Sequence, residues 1–352
     1  MARISVLGAG SWGIALAVML NKNGHEVKVW SHRQSQVDQM NDTHTSDKIK
    51  GVKLPESMIF TADIEDATKT ADVVLMAVPS KATRETAEKI KPYVNDNQIF
   101  ITVTKGIEEE TLFTQTEILE DVLGSEKRIC VLSGPSHAEE VVVFKPTLVV
   151  AGSTDRQTSL FVQNLFMNKY FRVYSSPDVK GIEVGAALKN VIALAAGMSD
   201  GLGFGDNAKA ALITRGIKEI SALAVAMGGQ AETLAGLTGV GDLIVTCSSM
   251  HSRNRMAGFY IGQGMSKDEA MEKVAMVVEG VYSARAAKKL AEKYEIEMPI
   301  VDVVNAVLFD GLAAKDAVYE LMTRSKKDET SDMEWQNKGL ASASPYVLSM
   351  FN

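Results

Sequence analysis

The 352-residue chain is 46% hydrophobic and 23% charged, a globular composition with core enough for two domains of ordinary size. Its formal net charge of −7 excludes a bulk electrostatic attraction to nucleic acid or to an anionic membrane surface, and leaves small phosphorylated ligands open. Two cysteines, Cys130 and Cys247, lie far apart with no metal-ligand spacing, so the expectation is a reducing, cytoplasmic setting and no bound metal.

The chain reads as a strand almost at once, "RISVLG" over 3–8, and not as a secretion signal. Further β-rich runs follow at "EVKVWS" (26–31), "DVVLMAV" (72–78), "QIFITVT" (98–104), "RICVLSG" (128–134) and "PTLVVAG" (146–152), with "FRVYSS" (171–176) as one more. Helical segments fall between most of them, among them 11–23, 80–91 and 110–123. Near-continuous apolar strands separated by helices predict a doubly wound, mostly parallel sheet covered on both faces, a Rossmann-like α/β domain over 1–176.

After Pro177 the strands stop. Helical patterns run over 179–198, 207–227, 240–247, 253–263, 267–274, 281–294, 301–309 and 313–323, which predicts an all-α domain over 177–323. The remaining 324–352 is polar and without period; it is expected to be a mobile tail whose apolar end, "YVLSMF", is free to dock. No apolar run of membrane-spanning length is free of charge, so no transmembrane segment is expected.

The first strand leads into "VLGAGSWG", with Gly8, Gly10 and Gly13 spaced as G-x-G-x-x-G. The spacing alone is weak, but here it follows a strand and opens an apolar helix, the context in which it binds a dinucleotide. Gly8 permits the tight turn, Gly10 lets the pyrophosphate approach the backbone, and Gly13 allows the helix to pack on the strand. An NAD-selective site carries an acid at the end of the second strand; this chain has Ser31, His32 and Arg33 there. A carboxylate repels a 2′-phosphate and Arg33 can pair with it, so NADP(H) is favoured with NAD(H) accepted. The bland alternative for Arg33 is a solvated residue at a helix start. In an open α/β sheet ligands lie beyond the carboxyl ends of the strands. That rule also points at "AVPS" (77–80), at Lys105 in "TKG" and at "SGPSHAEE", which contains Gly134, Ser136 and Ala138.

In the second half, "EVGAALKNVIALAAGM" (183–198) is an Ala-rich apolar helix interrupted by Lys189, with small residues on the neighbouring turns. On the helix alone, the favoured reading is a lysine stem lying on apolar surface with its head in water. "LTGVGDLIVTC" puts Asp242 before an apolar run, where a plain helix cap is the bland reading. "SSMHSRNRMAG" puts Ser252, Arg253 and Asn254 at a helix start, where free N–H groups, a hydroxyl, a guanidinium and an amide make either a phosphate site or a decorated cap.

Taken together, "GAGSWG", "TKGIE", "SGPSHAEE", "AALKNVIALAAG", "GLTGVGDL" and "SRN" resemble, in order and spacing, the soluble bacterial NAD(P)-dependent glycerol-3-phosphate dehydrogenases, from residue 3 to about 323. The resemblance implies reversible hydride transfer from NAD(P)H to the C2 carbonyl of dihydroxyacetone phosphate, giving sn-glycerol 3-phosphate for phospholipid synthesis. It makes Lys189 the catalytic acid/base. It assigns substrate contacts to Lys105, Gly134, Ser136, Lys189, Asp242, Ser252, Arg253 and Asn254, with Asn190 and Thr246 as further ones. Cofactor contacts fall on Ser11, Trp12, His32, Arg33, Lys105, Ala138, Arg253, Val277 and Glu279, beside Gly8, Gly10 and Gly13 of the fingerprint. Burial and the cations Lys105 and Arg253 would lower the Lys189 pKa while Asp242 would raise it, and the sequence leaves the winner open. The implied partner is a small molecule, with no nucleic acid; a homodimer stays open. Two rivals stand beside this reading. Another two-domain β-hydroxyacid-type dehydrogenase would lack the Ser252–Asn254 phosphate site. A non-enzymatic dinucleotide sensor would need no lysine in the cleft.

Overall fold

Four of the five residues of β1 (Arg3–Leu7) are buried, as are all of β4 (Val73–Met76) and β5 (Ile99–Thr102). Strands apolar on both faces belong at the centre of a sheet with helices above and below. In the computed structural model, which describes residues 1–329, they join β2 (Glu26–Trp30), β3 (Ile59–Thr61), β6 (Arg128–Ser133), β7 (Thr147–Gly152) and β8 (Phe171–Ser176). The result is one eight-stranded sheet of order β3-β2-β1-β4-β5-β6-β7-β8. Val6 of β1 sits between Val29 of β2 and Leu75 of β4, and the chain reverses direction across the sheet between β1 and β4. That reversal opens a crevice at the carboxyl ends of these two strands.

All neighbouring strands are parallel except β6 and β7. A parallel return needs a crossover of a dozen or more residues, usually through a helix. The link over 134–146 holds only the single turn α6 (Ala138–Val141), so β7 runs back antiparallel. The other helices of this half are α1 (Ser11–Lys22), α2 (Gln34–Thr43), α3 (Ile64–Thr68), α4 (Thr83–Ile90), α5 (Gln115–Leu123) and α7 (Arg156–Phe166). Two local readings of the sequence need correction. The helix expected over 110–123 starts only at Gln115, because Thr114 and Glu117 close a capping box and an Ile107–Thr114 bridge holds the preceding loop. Strand β3 escaped notice because it is three residues long with only Phe60 buried.

The second half is helical, as the pattern after Pro177 implies: α8 (Val179–Gly201), α9 (Asp206–Ala226), α10 (Ala231–Leu234), α11 (Asp242–Ser248), α12 (Arg253–Gly262), α13 (Lys267–Val274), α14 (Glu279–Tyr294), α15 (Pro299–Phe309) and α16 (Ala314–Met322). Helix α8 is its axis. Every residue from Gly181 to Ser199 is buried, so although α8 is long and apolar enough to cross a membrane, its apolar window is wholly inside the protein. Glycines let α12 touch it backbone to backbone. A Cβ on Gly197 would lie 2.0 Å from the Arg255 carbonyl oxygen, and one on Gly258 would lie 2.1 Å from that of Leu194. No side chain fits there, and this closeness brings the start of α12 against the middle of α8.

Residues Met1–Leu321 form one compact unit. Within it, the buried Glu183 of α8 accepts hydrogen bonds from the Thr116 backbone N–H (2.9 Å) and hydroxyl, and so anchors α8 to the start of α5. Residues 322–329 are exposed. The expected tail lies, from 330 onward, outside the described residues.

Candidate active site

Lys189, in the middle of α8, is only 5% exposed, so its ammonium does not reach water along an apolar surface. Its Nζ donates to Thr246 Oγ1 at 2.6 Å and pairs with Asp242 Oδ1 at 3.0 Å. A π-helical turn over Leu237–Gly241 delivers Asp242 to the first position of α11. The N-cap there is Gly241, and the Asp242 side chain makes no cap bond. The plain-cap reading of Asp242 is therefore corrected: its carboxylate turns inward to two lysines instead. Its other oxygen, Oδ2, accepts from Lys105 Nζ at 2.7 Å. Lys105 follows β5 and also donates to the Gly134 carbonyl at 3.2 Å. Thr246 completes the set by donating to the Asp242 carbonyl oxygen at 2.6 Å, which leaves its lone pairs for Lys189.

The competition that the sequence left open has an outcome. Burial is the largest influence on Lys189 and disfavours its charge; Asp242 opposes it and Lys105 adds to it. The net effect brings the Lys189 pKa down to about 8. Burial also works against the Asp242 carboxylate, yet the two ammonium groups outweigh it and hold that carboxyl below its usual range. At neutral pH the site thus holds an ionised Asp242 between two lysines, one of which can give up its proton close to physiological pH.

At the start of α12, Ser252 is the N-cap and its hydroxyl accepts from the Arg255 N–H at 3.3 Å. Asn254 is tied down on both sides. Its Nδ2 donates to Asn190 Oδ1 at 2.9 Å, and its Oδ1 accepts from the Gly280 N–H at 2.8 Å. Among the described residues the Arg253 guanidinium makes one long hydrogen bond, 3.4 Å to the Val277 carbonyl oxygen, so it keeps donors for a ligand. Ser252, Arg253 and Asn254 line the same cleft, of about 530 Å³, as Lys105, Lys189 and Asp242.

The glycine loop forms the opposite wall, where Gly8, Gly10, Ser11 and Trp12 line the cleft with His32 and Arg33 beyond them. Gly8 has φ 120°, and a Cβ there would lie 2.6 Å from the Ala77 carbonyl oxygen, so β1 and β4 can approach only through glycine. A Cβ on Gly13 would lie 2.1 Å from the Gly8 oxygen, which makes it a packing residue below the wall. Gly10 has nothing within 4 Å of such a Cβ, so space is open beside its backbone at the N-terminus of α1. The Trp12 indole N–H is buried without a protein partner among the described residues. An open backbone and a free helix N-terminus fit a dinucleotide pyrophosphate. Ser136, Ala138, Val277 and Glu279 also line the cleft. Gly134 does not; it touches the site through its carbonyl, which accepts from Lys105 and Ser136.

Two family models match the chain. The NAD-dependent glycerol-3-phosphate dehydrogenase N-terminus covers residues 3–159, and the C-terminus of the same enzyme covers 178–319. The chain belongs to the NAD-dependent glycerol-3-phosphate dehydrogenase family. A glycerol-3-phosphate dehydrogenase [NAD(P)+] of Agathobacter rectalis is 57% identical over 96% of this chain and 100% of its own length. One of Bacillus subtilis is 50% identical over 95% of this chain and 97% of its own. The crystal structure of the Coxiella burnetii glycerol-3-phosphate dehydrogenase superimposes with a TM-score of 0.89 at 37% identity, covering 92% of this chain and 99% of that one.

Against this family background, two features of the cleft were not singled out in the sequence. Ser80, inside the quoted "AVPS", donates from its N–H (3.1 Å) and its hydroxyl to the Glu279 carboxylate, which burial pushes above its usual pKa. These residues stand 199 positions apart, so only the fold could pair them. His137, inside "SGPSHAEE", lines the cleft between Ser136 and Ala138. A histidine in a loop after a strand was the available signal, and nothing local distinguishes it from a surface one.

Proposed function

We propose that this cleft interconverts dihydroxyacetone phosphate and sn-glycerol 3-phosphate with NADP(H), and also with NAD(H). The observation that carries the reading is Lys189, a buried lysine poised near pH 8 and held by Asp242 and Thr246 in a cleft shared with the glycine loop and the start of α12. When bound, the reduced nicotinamide supplies a hydride to the C2 carbonyl carbon. The Lys189 ammonium stabilises the charge that develops on the C2 oxygen and delivers the proton; in the reverse direction the neutral amine takes the hydroxyl proton. Asp242 keeps the amine oriented and restrains the fall of its pKa, and Lys105 holds Asp242 from the other side. Arg253, Ser252 and the free N–H groups of α12 grip the phosphate, and that remote binding fixes the reacting carbon over the lysine. Asn254 is pre-oriented for this by Asn190 and the Gly280 N–H. His32 and Arg33 at the end of β2, where residues 31–37 include no acid, support the preference for a 2′-phosphate. The reading divides the labour at residue 176, with 1–176 holding the dinucleotide and 177–323 the substrate. Cys130 and Cys247 are free and buried, in keeping with a reducing cytoplasmic setting, and the product serves phospholipid synthesis.

The test is a side-by-side assay of NADPH and NADH oxidation with dihydroxyacetone phosphate and with unphosphorylated dihydroxyacetone. Rapid oxidation only with the phosphorylated ketone, faster with NADPH at low cofactor, is the expected result. Equal use of both ketones would remove the phosphate site, and no oxidation with either would remove the dehydrogenase.

A further inference from the structure

We propose that Ser80 is a positioning residue: its backbone N–H and hydroxyl aim the Glu279 carboxylate at a hydrogen-bond donor on the nicotinamide half of the bound dinucleotide. The proposal rests on the functional reading above, in which Glu279 is a cofactor contact and Ser80 has no part. Ser80 opens the single turn Ser80–Ala82 that follows β4, and it is 6% exposed. Its N–H donates to Glu279 Oε1 at 3.1 Å and its hydroxyl donates to Oε2, so each carboxylate oxygen has one fixed bond. A Cβ on Gly106 would lie 2.5 Å from Ser80 Cβ and 2.8 Å from its Oγ. Only a glycine at 106 lets the loop after β5 close over the serine in this way. Lys81 Nζ stands 5.3 Å from the centre of the Tyr282 ring, a second contact between the same turn and α14. Burial works against the charge of Glu279, and the two Ser80 bonds are the largest influences that favour it, ahead of Arg253 and Lys81.

The order of the strands decides which half of the cofactor this carboxylate meets. The crevice lies between β1 and β4, with β2 beyond one side and β5 beyond the other. His32 and Arg33 stand at the end of β2, so the adenosine half extends that way and the nicotinamide half lies over β4 and β5. Ser80 follows β4, Gly106 follows β5 directly after Lys105, and Glu279 lines the same cleft as Lys189 and Arg253. A carboxylate accepts hydrogen bonds and gives none. The pyrophosphate is an anion without donors and does not suit it. The nicotinamide half offers neutral donors, the ribose hydroxyls and the carboxamide N–H. The next residue along fixes the far end of the same segment, since the Gly280 N–H donates to Asn254 Oδ1 at 2.8 Å. The start of α14 is thus tied to the turn after β4 on one side and to α12 on the other, with the Glu279 side chain set between them.

The test measures the Kd of NADPH and of 2′,5′-ADP, the adenosine half alone, by calorimetry for the unmodified protein, Ser80→Ala, Glu279→Ala and the double variant. Ser80→Ala should weaken NADPH by about tenfold and leave 2′,5′-ADP unchanged, which also shows that the variant is folded. Glu279→Ala should weaken NADPH at least as much. In the double variant the Ser80 change should add less than about twofold, because a residue that acts through Glu279 has nothing left to position. An unchanged NADPH Kd in Ser80→Ala, equal losses on both ligands, or losses that multiply in the double variant would overturn the proposal. The reduced 3-acetylpyridine analogue of NADPH has a methyl ketone in place of the amide and identifies the donor. A Ser80→Ala loss that vanishes with it supports the proposal with the carboxamide N–H as donor, and one that persists supports it with a ribose hydroxyl. If the unmodified protein does not bind NADPH, the cofactor reading fails before any substitution and the role of Ser80 falls with it. If it binds NADPH but does not reduce dihydroxyacetone phosphate, the substrate reading alone fails, and the binding measurements still decide the role of Ser80.

Discussion

Replacing Asp242 by Asn keeps the shape of the side chain and removes one negative charge from between two lysines. Asp242 sits 3.0 Å from Lys189 Nζ and 2.7 Å from Lys105 Nζ, and it is 2% exposed. At an effective dielectric of about 20, a pair at this range attracts by roughly 5 kcal/mol. Even a third to a half of that, expressed as a loss of preference for the charged amine, moves a titration by about one to two pH units. The direction follows from the forces on Lys189: burial and Lys105 lower its pKa, Asp242 raises it, and the balance lies at about 8. Ketone reduction needs the ammonium, so in the unmodified protein kcat for dihydroxyacetone phosphate should fall as pH rises through about 8. In Asp242→Asn the same fall should come about one to two pH units lower, leaving the reduction weak at pH 7.5 while oxidation of glycerol 3-phosphate loses less. The assay is the pH profile of kcat in both directions at saturating cofactor. A profile whose midpoint stays in place, or moves upward, would refute the electrostatic account of this site.

Three further outcomes are expected. Lys189→Met should fold and bind NADPH but lose on the order of 10²–10⁴ in kcat, and the residual rate should no longer follow the titration near pH 8; purified protein with unmodified turnover would remove Lys189 from the chemistry. Arg253→Ala should lower kcat/KM for dihydroxyacetone phosphate far more than the feeble activity on dihydroxyacetone, with NADPH affinity measured separately because Arg253 also borders the cofactor side at Val277. Equal losses on both ketones with cofactor binding intact would shift the phosphate to Lys105. Arg33→Ala should weaken NADPH relative to NADH by about tenfold, as expected for a charge-assisted hydrogen bond of about 1.5–3 kcal/mol, and an unmoved ratio of KM values would assign the 2′-phosphate to another residue.

The sequence by itself determined whatever depends on local periodicity. Apolar runs of strand length separated by helices meant a parallel sheet, and the end of the strands at Pro177 marked the turn to helices. The glycine fingerprint was legible because its context, strand before and helix after, is itself local; Gly8 and Gly13 prove to be places where a Cβ meets a carbonyl oxygen. The oddity of Lys189 was also visible, since a lone charge in an Ala-rich apolar helix stands out in any window. Its meaning was not. Whether its head reaches water depends on α11 and α12, which follow it by tens of residues. Asp242 read as a cap until the π-helical turn brought its carboxylate between Lys105 and Lys189, the first of them 137 residues away. The same holds for Ser80 with Glu279. The contest between burial and the Asp242 charge had two terms of opposite sign in the sequence and no magnitudes. Desolvation depends on how much of the chain surrounds a group, and Coulomb attraction on its distance to a partner; both exist only once remote segments have packed together.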